Sequence, residues 1–224
     1  MSQDTQEFFN KNKFVVIKQF LPADMALLSY EYCKIRVKRT DWILQNTKED
    51  YRLDQDGAFG DVQIPNSFNC YSDPYMETLL LLTTDRLKEF TGLDLVPQYS
   101  YWRFYQTGDM LERHTDRGSC EISTTLCLGS NTENVDKSVY PNYHWPMFVK
   151  DPEGNELPVA LEAGDLIIYR GCEIEHWREK FLGLNHAQAF LHYNIVGGQF
   201  DYKFDGRPGV GFPLSSKDNS KILR

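Results

Sequence analysis

The sequence predicts an α+β domain, with helices packed on an antiparallel β-sandwich or barrel. Two observations predict the fold, and a third places its site. Residues 1–94 carry a strand and two helical patterns. Residues 95–196 break into short β-branched and aromatic runs separated by turn residues, and 197–224 form an irregular, glycine-rich tail. Inside the second region, His114-Thr115-Asp116 stands at the end of one strand-like run and just before another.

The 224 residues suit one domain with a helical elaboration. Hydrophobic residues make up 41% and charged residues 25%, as in an ordinary globular protein, and 14 Phe, 13 Tyr and 4 Trp can fill a large core. The net charge of −8 gives no electrostatic footprint for nucleic acid or an anionic membrane. No apolar run approaches the ~20 residues of a membrane span. The opening MSQDTQEFFNKNK lacks the apolar stretch of a secretory signal. Five cysteines, odd in number and without C-x-x-C spacing, argue against a disulfide framework or a structural zinc site. They fit a reducing cytoplasm.

In chain order, Phe14–Leu21 reads as a strand, and Pro22-Ala23-Asp24 opens a helix. Leu27, Leu28, Tyr30, Tyr32 and Ile35 supply that helix's apolar positions, and its pattern fades at Lys38-Arg39-Thr40. Asn46 to Pro65 is charged, rich in Gly and Asp, and has no period, so it reads as a loop. Asp73-Pro74 starts a second helix over 75–90, and Gly92 stops it. Strands are expected at 98–105, 121–128, 147–150, 158–161, 165–169, 173–177 and 187–195. Gly108-Asp109, Pro152-Glu153-Gly154 and Ala163-Gly164 mark turns, and 130–143 is a polar loop.

On an extended backbone, residues two apart project to the same side, so His114 and Asp116 form a dipod suited to one metal ion. Alone this signal is weak: five His and 18 Asp in 224 residues give roughly 0.4 such pairs by chance. A third ligand in His176, at the end of the strand pattern opened by Gly164-Asp165, would complete the two-histidine, one-carboxylate face that binds non-haem Fe(II). A double-wound, eight-stranded jelly roll needs about that much chain to return to the same mouth.

Over roughly 99–194, the sequence resembles the Fe(II)/2-oxoglutarate-dependent dioxygenases, in particular their prolyl-4-hydroxylase-like branch. The resemblance rests on Arg103-Phe104-Tyr105-Gln106-Thr107-Gly108 followed by His114 and Asp116, and on Ala163-Gly164-Asp165-Leu166-Ile167-Ile168-Tyr169 followed by His176. It implies a double-stranded β-helix core buttressed by the N-terminal helices, with iron held by His114, Asp116 and His176. It also implies 2-oxoglutarate as cosubstrate, O2 as oxidant, and room for ascorbate. The implied reaction is hydroxylation of a small molecule or a peptide, with release of succinate and CO2. Zinc, or a cupin-like metal-binding module without a keto acid, could use similar ligands.

The resemblance also sets a problem. Relatives place an Arg or Lys nine to eleven residues after the distal histidine, to hold the far carboxylate of 2-oxoglutarate. Here that window is Asn185-His186-Ala187. His186 could take the role, or Arg178, which shares a strand face with His176, or Arg103, which shares one with Tyr105. Tyr105 corresponds to a hydroxyl that relatives direct at the cosubstrate, and Gln188 and His192 stand in phase with His186. Each has a plainer reading: Arg178 on the surface beside Glu175 or Glu179, Arg103 paired with an acid such as Glu112, and the others as core groups. Trp145 and Trp177 read as packing, His144 as a loop residue, and Arg113 and Arg117 as solvated neighbours of the dipod. Gly206 to Gly211 lacks the strand and helix that a dinucleotide fingerprint needs.

Overall fold

Strands that follow one another in the chain lie mostly in different sheets, and this alternation defines the molecule. The computed structural model describes residues 2–46 and 56–217. Its strands are β1 (Phe14–Ile17), β2 (Ala58–Phe59), β3 (Phe68–Tyr71), β4 (Leu95–Gln106), β5 (Leu111–His114), β6 (Ile122–Asn131), β7 (Met147–Lys150), β8 (Glu156–Val159), β9 (Leu166–Tyr169), β10 (His176–Arg178) and β11 (Asn185–Ile195). One sheet runs β1-β9-β6-β11-β4-β3-β2 and the other β5-β10-β7-β8. From β4 to β11 the chain crosses repeatedly between the two antiparallel sheets, which is the double-stranded β-helix expected from the sequence.

Helix α1 (Ser2–Asn12), α2 (Ala23–Asn46) and α3 (Pro74–Thr91) lie on the outer face of the seven-stranded sheet. The α3 boundaries follow local chemistry. The Asp73 carboxylate accepts from Tyr75 N and Met76 N, Pro74 needs no donor in the first turn, and Gly92 ends the helix at φ 73°. Asp73 also accepts from the Tyr32 hydroxyl and from Arg36 Nη1 at 2.6 Å, which fastens α2 to the start of α3.

The structure corrects the reading of α2. Leu27, Leu28 and Ile35 are about 60% exposed, and the buried face is Ala26, Ser29, Cys33 and Thr40. Tyr30 and Tyr32, also expected as apolar positions, pack on the core, and Gly129 of β6 makes room for the Tyr30 ring: a Cβ there would lie 2.9 Å from it. Helix α2 also runs past Thr40 to Asn46, because Thr40 Oγ1 donates to the Asp56 carbonyl and Arg39 pairs with Asp56. The expected loop from Asn46 to Pro65 falls partly outside the described residues, and within it β2 pairs with β3. Four elements had no legible bounds in the sequence. Helix α1 is polar, β2 and β3 are two and four residues long, and β5 holds exposed Glu112 and Arg113 between buried Leu111 and half-buried His114. The expected strand at 173–177 shortens to β10, because residues 171–174 form turns, and the one at 158–161 moves back to β8.

Alternation along β4 and β11 separates two environments. Trp102, Phe104, Ala187, Ala189 and Leu191 join the helices in the main core. Tyr101, Arg103, Tyr105, Gln188, Phe190 and His192 occupy the other phase, facing the space between the sheets. A β-sandwich interior lined with polar groups is expensive unless they serve a ligand.

The tail returns across one end of the sandwich and is anchored by a fully buried ion pair. Glu77 accepts from Arg207 Nη2 at 3.1 Å, from Gly211 N at 2.8 Å and from Ser100 N at 2.7 Å. Arg207 also donates to the carbonyls of Gln98 and Phe212. Glu77→Ala would leave the Arg207 charge buried without its acid. We expect it to destabilise the protein by about 3–5 kcal/mol in urea unfolding, against under 1 kcal/mol for the exposed Glu31→Ala. Equal effects would show that the tail contributes nothing to global stability. No described helix is long and apolar enough to cross a membrane, and all five cysteines are free thiols.

Candidate metal centre

His114 and His176 are direct partners across the β5–β10 ladder, which brings two residues far apart in the chain to a ring-centroid separation of 4.2 Å. Asp116 follows two residues after His114, and its backbone N–H donates to Gly171 O at 2.8 Å, which holds the loop against the turn between β9 and β10. Asp116 Oδ1 lies 3.7 Å from His114 Nε2 and 3.6 Å from His176 Nε2. Ligand-capable atoms of all three residues fall within 4.8 Å of one another.

The imidazole tautomers follow from the backbone. His114 Nδ1 lies 2.9 Å from the Glu112 carbonyl and His176 Nδ1 lies 2.9 Å from the Ile174 carbonyl. A carbonyl only accepts, so each Nδ1 carries its proton and donates. Each Nε2 then keeps a lone pair facing Asp116 Oδ1. Burial holds the His176 imidazole below the ordinary histidine range, favouring the neutral, ligating form. The other Asp116 oxygen, Oδ2, accepts from Ser123 Oγ at 2.7 Å, and Ser123 Oγ lies 3.0 Å from His192 Nδ1. Outer groups of this kind fix the direction of a ligating carboxylate. Gly171 leaves room for it, since a Cβ there would sit 2.4 Å from Asp116 Oδ2 and 2.3 Å from the Cys120 carbonyl.

The three groups open into a cavity of about 620 Å3 between the sheets. Arg178, two residues past His176, lines it and is only 2% exposed. Its Nη1 donates to Trp145 O at 2.7 Å and its guanidinium lies 4.5 Å from the Trp145 ring. Among the described residues no carboxylate pairs with it. Burial pulls its pKa below the ordinary arginine value. The Tyr105 hydroxyl, both amide atoms of Gln188 and His186 Nε2 are buried without partners among the described residues. Register places His186 opposite Tyr105, and the Tyr105 and Trp145 rings meet edge-on at 4.8 Å. Arg178 and these orphaned groups therefore form one polar cluster deep in the sandwich.

The remaining candidates separate. Arg103 lines the cavity but is engaged: Nη2 donates to Asp61 Oδ2 at 2.7 Å and Nη1 to Ser67 Oγ at 3.1 Å. Its acid is Asp61 rather than the expected Glu112. Arg178 is buried rather than beside Glu175 or Glu179 on the surface. His186 faces a second cavity of about 520 Å3, and burial and the Arg178 charge push its imidazole well below the ordinary value. Burial pushes His192 down to about 4, and its ring packs on Tyr99 at 4.5 Å. Trp177 stacks on Phe148 under the Arg113 guanidinium, outside the cavity. Trp145 and His144 line the second cavity. Ser123, Thr125 and Tyr99 were missed in the sequence. A run of three hydroxyl residues, Ser123-Thr124-Thr125, is the one local signal for the pair on β6. Asp205 and Lys217, in the irregular tail, had no local signal.

No protein-family model matches the sequence, and no curated protein is significantly similar to it. Solved structures do resemble it. A prolyl-4-hydroxylase from Pseudomonas putida superposes with a TM-score of 0.63 at 17% identity, covering 87% of this chain and 98% of that one. HygX from Streptomyces hygroscopicus, with nickel, 2-oxoglutarate and hygromycin B bound, gives 0.59 at 11% identity over 87% of each chain. A prolyl hydroxylase from Trichoplax adhaerens, in complex with a hypoxia-inducible-factor peptide fragment, gives 0.56 at 11%, covering 86% and 88%. At these identities the likeness establishes the fold.

Proposed function

We propose that this chain is an Fe(II)- and 2-oxoglutarate-dependent oxygenase that hydroxylates a small molecule or a peptide. One observation carries the reading. Two imidazole lone pairs and a carboxylate oxygen converge at the mouth of a cavity whose depth holds a buried arginine with no acid partner among the described residues.

The residues fit both absent groups. His114, Asp116 and His176 would hold the ion on one face and leave three positions open. Arg178 would take the far carboxylate of 2-oxoglutarate, with the Tyr105 hydroxyl and Gln188 Nε2 donating beside it, which would give these two orphaned donors an acceptor. Arg103, neutralised by Asp61, would support Tyr105 from behind its ring at 5.7 Å. His186 lies behind the cluster and would remain neutral. When bound, Fe(II), 2-oxoglutarate and O2 supply an oxidant strong enough to remove hydrogen from an unactivated C–H bond, with succinate and CO2 as coproducts. The chain's part is position and exclusion of water. Ser123 and Gly171 keep Asp116 Oδ1 turned to the ion, and Leu111, Met147, Tyr169 and Phe190 wall the cavity.

Anaerobic addition of 2-oxoglutarate to Fe(II)-loaded protein tests this. We expect a weak visible metal-to-ligand charge-transfer band, and succinate release once air is admitted. A cupin-like metal-binding module would hold metal with a spectrum unchanged by the keto acid, and that outcome would overturn the proposal.

A further inference from the structure

The cavity is unusually cationic for a chain whose net charge is −8. Arg103, Arg117, Arg178 and Lys217 line it, against a single lining carboxylate, Asp116. The charges resolve into groups. Asp61 neutralises Arg103 one to one. On the oxygenase reading, on which this inference rests, a divalent ion, Asp116, the 2-oxoglutarate dianion and Arg178 are together neutral. Arg117 and Lys217 remain, and both are bound to Asp205. Arg117 makes a two-pronged contact at 2.7 and 2.8 Å, and Lys217 Nζ reaches Oδ2 at 3.1 Å. Among the described residues one buried carboxylate serves these two cations, which leaves one positive charge beside the cavity without a described acid.

Lys217 is the cation free to act. The Arg117 fork is committed to Asp205 and lies over the Tyr99 ring at 4.8 Å. Lys217 is 17% exposed at its side chain, lines the cavity beside Leu214, and gives Asp205 one of its three donors. Tyr71, Tyr99 and Tyr101 also line the cavity, Tyr71 beside Lys217 on the same Asp205 oxygen, and their hydroxyls are engaged by Asp205, Cys120 and Asp61. Tyr71 stacks on Tyr99 and His192 packs on the Tyr99 ring, so the wall these residues make with Tyr101 and Phe190 offers aromatic carbon rather than free hydroxyls.

We propose that the substrate is a carboxylate-bearing molecule with an apolar or ring-shaped body, its acid group held by Lys217 and its body laid along the tyrosine wall. Charge selects a monoanion: a phosphate monoester carries about −1.5 to −2 and would overshoot neutrality. The tail is thus part of the substrate site, brought there by Asp205, which ties Lys217 to the loop that follows the metal ligand Asp116.

The test uses benzoate, benzamide and phenyl phosphate as probes, titrated calorimetrically into full-length protein loaded anaerobically with Fe(II) and saturating 2-oxoglutarate. The charge-transfer band verifies loading in each variant. We expect benzoate to bind at least ten-fold tighter than benzamide and tighter than phenyl phosphate. Lys217→Gln should abolish the preference over benzamide, and Lys217→Arg should keep most of it. A band without any benzoate preference, or a preference that survives Lys217→Gln, overturns this inference alone. Absence of the band overturns the oxygenase reading, and the inference falls with it.

Discussion

His176→Ala is expected to release the metal and to reduce succinate formation to background while the fold survives. His176 provides one of three ligands, and its Nε2 lone pair is pre-aimed by the bond from Nδ1 to the Ile174 carbonyl. Loss of an outer partner of a ligand typically weakens metal affinity by ~10–100-fold, and loss of a ligand itself should exceed that range. The buried side chain lines a cavity and packs on His114 and Tyr169, outside the main core beneath the helices. Far-ultraviolet circular dichroism should match the parent, and metal content after gel filtration should fall to that of a mock-loaded sample. Parental succinate release from the variant would remove His176 from the ligand set, and with it the oxygenase proposal.

The second large effect has opposite signs for binding and for stability. Arg178→Met should weaken 2-oxoglutarate binding by ~30-fold to beyond 1000-fold, the range for removing one partner of a buried charge-assisted contact. Without cosubstrate, the same change should stabilise the protein. A guanidinium that is 2% exposed, with no acid among the described residues, is replaced by an apolar chain of similar reach. A rise of about 1–3 kcal/mol in urea unfolding is expected, offset in part by the lost bond to Trp145 O. Such opposition marks a residue kept for binding rather than for folding. Metal affinity should stay at the parental level, since Arg178 contacts no ligand. An Arg178→Met protein that binds 2-oxoglutarate like the parent would return the role to Arg103 or His186.

Much of the architecture was written locally. Asp73-Pro74 and Gly92 bracket α3 because a cap, a residue without a donor and a left-handed stop act within a few residues of themselves. The strands from β4 to β11 were mostly visible because alternation and turn residues are also local properties. Where the reading went astray, tertiary packing had overridden the local pattern. Leu27, Leu28 and Ile35 look like the buried stripe of α2, yet the helix buries Ala26, Ser29 and Cys33, with Tyr30 and Tyr32 packed beside them and the Tyr30 ring over Gly129. Strand β5 is legible only as an extended run ending at His114, without bounds, because its middle residues are charged.

The sequence by itself determined that His114 and Asp116 share one side of an extended segment, that Arg178 follows His176 in the same phase, and that Tyr105 and Arg103 share a face. Strand periodicity is a property of neighbours. Only the tertiary structure decided which charges would be cancelled. Asp61 meets Arg103, Asp205 meets both Arg117 and Lys217, and no described acid reaches Arg178. Those partners are joined by loop closure and sheet pairing over long stretches of chain. Which cation stays available for a ligand depends on where the whole fold brings its acids.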